Sequence, residues 1–146
     1  MAREIKNIYW EDVEENQALP ETTRVIDYQL IAVGAIWATH DHMPVHHETA
    51  FAQQAGAPDI FMNILTSNGL AAVYLEQWAG PEARIKKMTA GLQVPNFPDD
   101  EMVMNGKVIR KWEEGNEKLI EISYSGDNSM ATHITGTAVM SLPVRG

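Results

Sequence analysis

The chain contains no cysteine. That single absence excludes a disulfide scaffold, a thiolate zinc site, an iron–sulfur cluster and a cysteine nucleophile. Basic residues are scarce as well: 11 Lys and Arg stand against 20 Asp and Glu, a formal net charge of −9. A field of that sign repels phosphate backbones, so no nucleic-acid partner is expected. Long hydrophobic runs are missing. The longest near-apolar stretch, Leu30 to Ala38, is nine residues, too short to cross a bilayer. The start, Met-Ala-Arg-Glu-Ile-Lys, has no apolar segment behind it and does not read as a signal peptide. The expectation is a soluble, cytoplasmic protein with no membrane partner. Gly106-Lys107 lacks the upstream glycine of a phosphate-binding loop, and no Gly-x-Ser-x-Gly of a serine hydrolase occurs.

What is present is enough for one domain over residues 1–146. A hydrophobic fraction of 45% with 8% aromatics supports a real core. At this length folding buries roughly two-thirds of the unfolded surface, so neither metal nor disulfide is needed for stability. No repeat, low-complexity tract or Gly/Ser linker divides the chain; the type of periodicity does. Residues 1–23 are polar and acidic, with Glu11, Asp12, Glu14, Glu15 and a proline at Pro20, and read as an arm laid over the domain. Tyr28 to Ala38 and Glu48 to Ala55 read as short helices, the second stopped by Gly56 and Pro58. The strongest helix runs from Ile64 to Ala79. It is apolar over most of its circumference, which predicts burial on nearly all sides, and Gly80-Pro81 ends it.

After Pro81 the period becomes two. Ile85 to Val94, Met102 to Trp112, Lys118 to Tyr124 and Ala131 to Leu142 read as strands, with a turn at Ser125-Gly126-Asp127-Asn128. Helices followed by consecutive strands on short turns predict an α+β fold with an antiparallel sheet wrapped around the long helix. Trp78 and Trp112 are expected to be packing residues.

Four of the five histidines fall within His40-Asp41-His42-Met43-Pro44-Val45-His46-His47. Three readings compete for this stretch. A metal site of the His-x-His…Glu kind fits poorly, because Glu48 lies one residue too far from His42 and Pro44 interrupts the element that would align ligands. A polar loop with caps accounts for His40, His42 and His47 individually. The third reading is acid–base chemistry. Asp-x-x-Pro-x-His carries a carboxylate and an imidazole across a rigid proline turn, where both can share one water. That pair suits adding water to, or removing it from, a conjugated double bond.

Asp41-x-x-Pro44-Val45-His46-His47, followed by an alanine-rich helix and Gly56-x-Pro58, resembles the hydratase motif of the MaoC-like enoyl-CoA hydratases. The likeness extends to Leu19-Pro20, to the central helix and to Phe97-Pro98-Asp99-Asp100, where the family often has Pro-Gly-Asp. Asp59-Ile60-Phe61-x-Asn63-Ile64-Leu65-Thr66 and Gln77 to Pro81 are most similar to actinobacterial subunits that hydrate steroid side-chain enoyl-CoAs. The resemblance implies a hot-dog fold and a hydro-lyase that adds water to a trans-2-enoyl-CoA, or removes it in reverse. It needs no metal or redox cofactor, coenzyme A being the carrier of the acyl-CoA thioester substrate. Asp41 and His46 would be the catalytic pair.

The thioester oxygen would take a backbone N–H at Asn63, which stands where the family has glycine, with Met62 in place of a histidine. Met43 replaces the usual asparagine and His40 the preceding glycine. Met43 and Met62 would line an apolar acyl pocket, together with Met88, Met102 and Met104, unless these are core filler. Arg84, Lys86 and Lys87 would meet CoA phosphates, or else form a solvated strand face. A homodimer, or a heteromer with another MaoC-like chain, is implied. Two alternatives stand: a non-catalytic partner subunit of such a heteromer, and a hot-dog acyl-CoA thioesterase. The thioesterase would need a carboxylate on the central helix, where Glu76 is poorly placed.

Overall fold

In a computed structural model, which describes residues 6–146, five antiparallel strands form one sheet beside a long helix. The strands are β1 (Ala18–Ile26), β2 (Arg84–Leu92), β3 (Asp100–Glu114), β4 (Glu117–Asp127) and β5 (Thr132–Ser141). Their spatial order is β1-β3-β4-β5-β2, so β1 and β2 are the edges. The helices are α1 (Tyr28–Val33), α2 (Thr49–Gln54) and α3 (Ile64–Ala79). Ala71, Tyr74, Leu75 and Ala79 of α3 pack with Met102, Ile120, Ile122, Ile134 and Met140 from the sheet into one core. This is the expected wrapped-helix architecture.

Three features correct the sequence reading. First, the arm expected over residues 1–23 is in part a strand: Ala18 to Thr23 belong to β1, which pairs with β3 from Ala18↔Lys107 to Ile26↔Asp100. Only Leu19 and Ile26 of β1 are buried, so no alternation marks it. Pro20 sits where the register shifts between Leu19 and Thr22, a place an edge strand tolerates proline. The arm's first five residues lie outside the described ones.

Second, β4 does not turn at Ser125-Gly126 but runs on to Asp127. Gly126 is there for space: a Cβ on it would stand 2.7 Å from the Met104 sulfur and 2.9 Å from Ile134 Cγ2. Third, α3 is not buried all round. Ile64, Leu65 and Val73 are 56%, 50% and 45% exposed. The sheet covers one side of the helix only, and the opposite apolar face is open in the single chain.

Candidate active site

The start of α3 is the focus. Asn63 caps it, its side-chain oxygen accepting from the Thr66 N–H at 2.9 Å. Against this turn packs the end of the first helical segment, where α1 loosens into a π-turn over Gly34–Ala38. Gly34 makes the approach possible, since a Cβ there would lie 2.6 Å from Thr66 Oγ1. The π-turn accepts the chain that follows: Thr39 N–H donates to Gly34 O and Asp41 N–H to Ala35 O. Local loosening of this kind is frequent where a helix must aim functional groups. Here it aims Asp41.

His46 comes from a single 3-10 turn, Pro44–His46, in which the proline starts the turn. Its Nδ1 lies 2.6 Å from the Phe61 carbonyl. A carbonyl only accepts, so Nδ1 carries a hydrogen, and whenever the ring is neutral the lone pair is on Nε2. Nε2 faces Asp41 Oδ2 at 3.4 Å. The Phe61 ring meets the imidazole edge-on, with centroids 5.0 Å apart, and His46 is buried.

Asp41 is held by two donors. Asn63 Nδ2 donates to Oδ2 at 3.0 Å, and the Met43 N–H donates to Oδ1 at 3.1 Å. The Asn63 amide first, then the Met43 N–H, hold this carboxyl below the usual carboxylate range; partial burial opposes them, and His46 and His42 assist. Asn63 Nδ2 also donates to Thr39 Oγ1 at 2.8 Å. The amide thus ties the aspartate, the π-turn and the helix start together.

Asp41 is thus held without a polar side chain at position 43, by the Met43 backbone and the Asn63 side chain. Sequence reasoning placed Asn63 at the site for its backbone alone. Thr39 and the Phe61 carbonyl it did not single out. The signal available was Asn63 itself, a cap residue directly before an apolar helix.

Other predicted residues lie elsewhere. Met43 is exposed beside Asp41, whereas Met62, Met102 and Met104 are buried in the core. Met62 and Met102 both have their sulfurs against the Asn96 amide. Arg84, Lys86 and Lys87 start β2 at the far end of α3; 16 residues at about 1.5 Å each separate them from Asn63 by on the order of 24 Å. Arg84 donates to the Pro81 and Ala83 carbonyls, and Lys86 pairs with Glu117 at 2.6 Å. A groove of about 830 Å³, lined by Val73, Tyr74, Trp78, Arg84 and Ile85, opens at that end. Trp78 packs partly buried against the core, and Trp112 is half-buried under the Arg110 guanidinium. Glu76 is exposed, near the end of α3 away from Asp41. His40, with φ of 54°, and His42 are exposed, and His47 bonds the His42 carbonyl. Among the described residues, no three His, Asp or Glu side chains are grouped to hold a metal, and no helix is long and apolar enough to cross a membrane.

The sequence is 37% identical over 124 residues, 85% of this chain and 92% of the relative, to the 3-oxo-4,17-pregnadiene-20-carboxyl-CoA hydratase beta subunit of Mycobacterium tuberculosis. The chain belongs to the MaoC-like hydratases. One chain of the ChsH1-ChsH2 complex of M. tuberculosis superposes with a TM-score of 0.81 at 36% identity, covering 88% of this chain and 98% of that one. A MaoC-like dehydratase from Rhodospirillum rubrum gives 0.82 at 13% identity, with 96% and 99% covered, and shares the hot-dog fold. No family model matches the sequence. The family resemblance carried by Asp41, Pro44 and His46 is thus met by a relative that matches most of the chain.

Proposed function

We propose that this chain hydrates a trans-2-enoyl-CoA, with Asp41 and His46 as the catalytic pair and the Asn63 backbone N–H as oxyanion donor. The supporting observation is the pair itself: Asp41 Oδ2 and His46 Nε2, two acceptors when the ring is neutral, face one another at 3.4 Å with Oδ1 and Nδ1 already bonded. A water donating one hydrogen to each has its oxygen lone pair free to attack C3 of the enoyl thioester. As the C3–O bond forms, the C2=C3 π electrons move toward the thioester oxygen. One member of the pair takes the water proton, and a proton is returned to C2, so that H and OH are added overall. Negative charge builds on the thioester oxygen. The N–H groups at the start of a helix have no intrahelical acceptor and carry the positive end of the dipole, which suits that oxygen.

CoA is the substrate's carrier and no cofactor takes part. Its phosphates lie a pantetheine arm away from the thioester, so Arg84, Lys86 and Lys87 need not touch Asp41 to meet them. Exposed Met43 beside the aspartate suits an apolar acyl chain, and the M. tuberculosis relative supports a steroid-derived one. A heteromer with another MaoC-like chain is supported by the open apolar face of α3 and by a relative that is itself a beta subunit. The non-catalytic alternative would leave Asp41 and His46 without work.

Loss of the conjugated thioester absorbance with crotonyl-CoA and with a larger enoyl-CoA tests the reading, using the chain alone and with a MaoC-like partner chain. Hydration is expected in at least one assembly. No hydration in any, or release of free thiol instead, overturns it.

A further inference from the structure

His133 is the one histidine outside the His40–His47 stretch, and the proposed chemistry does not use it. It sits on β5, fully buried, with both ring nitrogens bonded. Nδ1 lies 2.6 Å from the Val94 carbonyl and must be the donor there. Nε2 then presents a lone pair, and the hydroxyl of Ser67, 2.8 Å away, donates to it. Burial pushes His133 below its ordinary value, with the Val94 carbonyl acting in the opposite direction, and this favours the neutral ring. A serine bonded to a histidine invites comparison with a nucleophile, but Ser67 has no exposed surface and no substrate carbon can reach it.

The pair's position gives it another use. Ser67 lies one turn after Asn63; its N–H donates to the Asn63 carbonyl at 3.2 Å, and its hydroxyl oxygen also lies against that carbonyl, at 3.3 Å. On the other side, the Val94 segment continues to Asn96, whose carbonyl accepts from the Met62 N–H at 3.0 Å. Asn128 fixes that segment further, donating to the Pro95 carbonyl and to Asn96 Oδ1, both at 2.9 Å. From His133 two arms therefore run to the chain on either side of one peptide. One passes through Ser67 to Asn63, the other through Val94 and Asn96 to Met62. Between them lies the Asn63 N–H.

We propose that His133 and Ser67 are positioning residues that close a buried hydrogen-bonded ring around the Met62–Asn63 peptide and so aim its N–H at the thioester oxygen. The inference rests on the hydratase reading for its chemical consequence, though the ring itself is independent of it. A donor aimed at developing charge matters in the transition state more than in the bound ground state, so loosening the ring lowers kcat and leaves KM nearly unchanged. Displacement of a reacting group by about 1 Å costs on the order of 100-fold. Ser67→Ala should therefore lower kcat about 10- to 100-fold with KM within about threefold. His133→Asn keeps a donor for Val94 but cannot reach Ser67, and it should fall by a similar factor. Because the two act as one ring, the double variant should be no slower than the worse single one.

The test measures kcat and KM for crotonyl-CoA hydration by the wild type and the three variants, in whichever assembly hydrates it, alongside amide hydrogen exchange. Exchange at Met62 and Thr66 should quicken at least tenfold in Ser67→Ala, with protection of the β4 core at Ile122 unchanged. A folded Ser67→Ala with kcat within twofold of wild type overturns the proposal, as do kcat losses that multiply in the double variant. If the wild type shows no hydration at all, the hydratase reading fails separately and exchange decides the ring: unchanged protection at Met62 and Thr66 sinks it. If His133→Asn does not fold, Ser67→Ala alone carries both readouts.

Discussion

Asn63 does more than any other single residue at this site. Its side-chain oxygen caps α3, its amide nitrogen holds Asp41 and Thr39, and its backbone N–H is the proposed oxyanion donor. The Asn63 amide is the largest cause of the low Asp41 pKa, so Asn63→Ala should raise that value toward the ordinary carboxylate range. A carbon-detected NMR titration of the Asp41 carboxyl measures it, and an unmoved midpoint would contradict the assignment. The same variant loses the cap, worth about 1 kcal/mol of stability by thermal or urea unfolding.

The sign of the pH effect follows from the depressed value. Asp41 contributes stability above its unfolded-state pKa and loses it as pH falls through the lower folded-state one. Urea midpoints taken downward from pH 5 should therefore fall less steeply in Asn63→Ala than in the wild type. The Asp41 carboxylate is partly exposed, so the difference should be small. For turnover, Asp41→Asn and His46→Ala should each cost about 100- to 10,000-fold in kcat with an unchanged circular dichroism spectrum. Near-wild-type turnover in either would remove that residue from the pair.

Among the elements, the contact between the π-turn and the first turn of α3 decides whether Asp41 and Asn63 meet. Gly34→Ala drives a methyl to within 2.6 Å of Thr66 Oγ1. Overpacking of that kind costs about 1–3 kcal/mol, and because it also pushes Asp41 from Asn63 it should lower turnover of the remaining folded protein. Full activity in a folded Gly34→Ala would show that the contact does not set the site. The convergence of Asp41 and His46 was legible in the sequence because a proline fixes the turn between them. The central helix and strands β2 to β5 were legible from apolar periodicity.

Strand β1 was not. It is an edge with two buried residues and a proline at its bulge, so neither alternation nor propensity marks it. Gly126 misled for a related reason: between serine and aspartate it reads as a turn, while its real work is to admit Met104 and Ile134. The Asn63–Asp41 bond and the His133–Ser67 pair join residues 22 and 66 positions apart, and local pattern holds no record of such contacts.

For the molecule as a whole, the open face of α3 is the largest departure from expectation. A helix apolar over most of its circumference implied burial on nearly all sides, yet the sheet of one chain covers only one of them. Ile64, Leu65 and Val73 remain exposed on a protein of formal charge −9. A second hot-dog chain over that face would complete the burial the sequence pattern asks for. Leu65→Asp should therefore weaken assembly with a MaoC-like partner, read as a shift to smaller species in sedimentation velocity, while the chain stays folded. An unchanged sedimentation profile would place the interface elsewhere.

The absence of cysteine fits chemistry that asks only for a carboxylate, an imidazole and a backbone amide. The measurement that tests this most directly is crotonyl-CoA hydration by the wild type and by Asp41→Asn, alone and with the partner chain, followed by loss of thioester absorbance. The account predicts turnover in the wild type and its collapse in Asp41→Asn at equal folded concentration. Hydration that survives Asp41→Asn undiminished would contradict it.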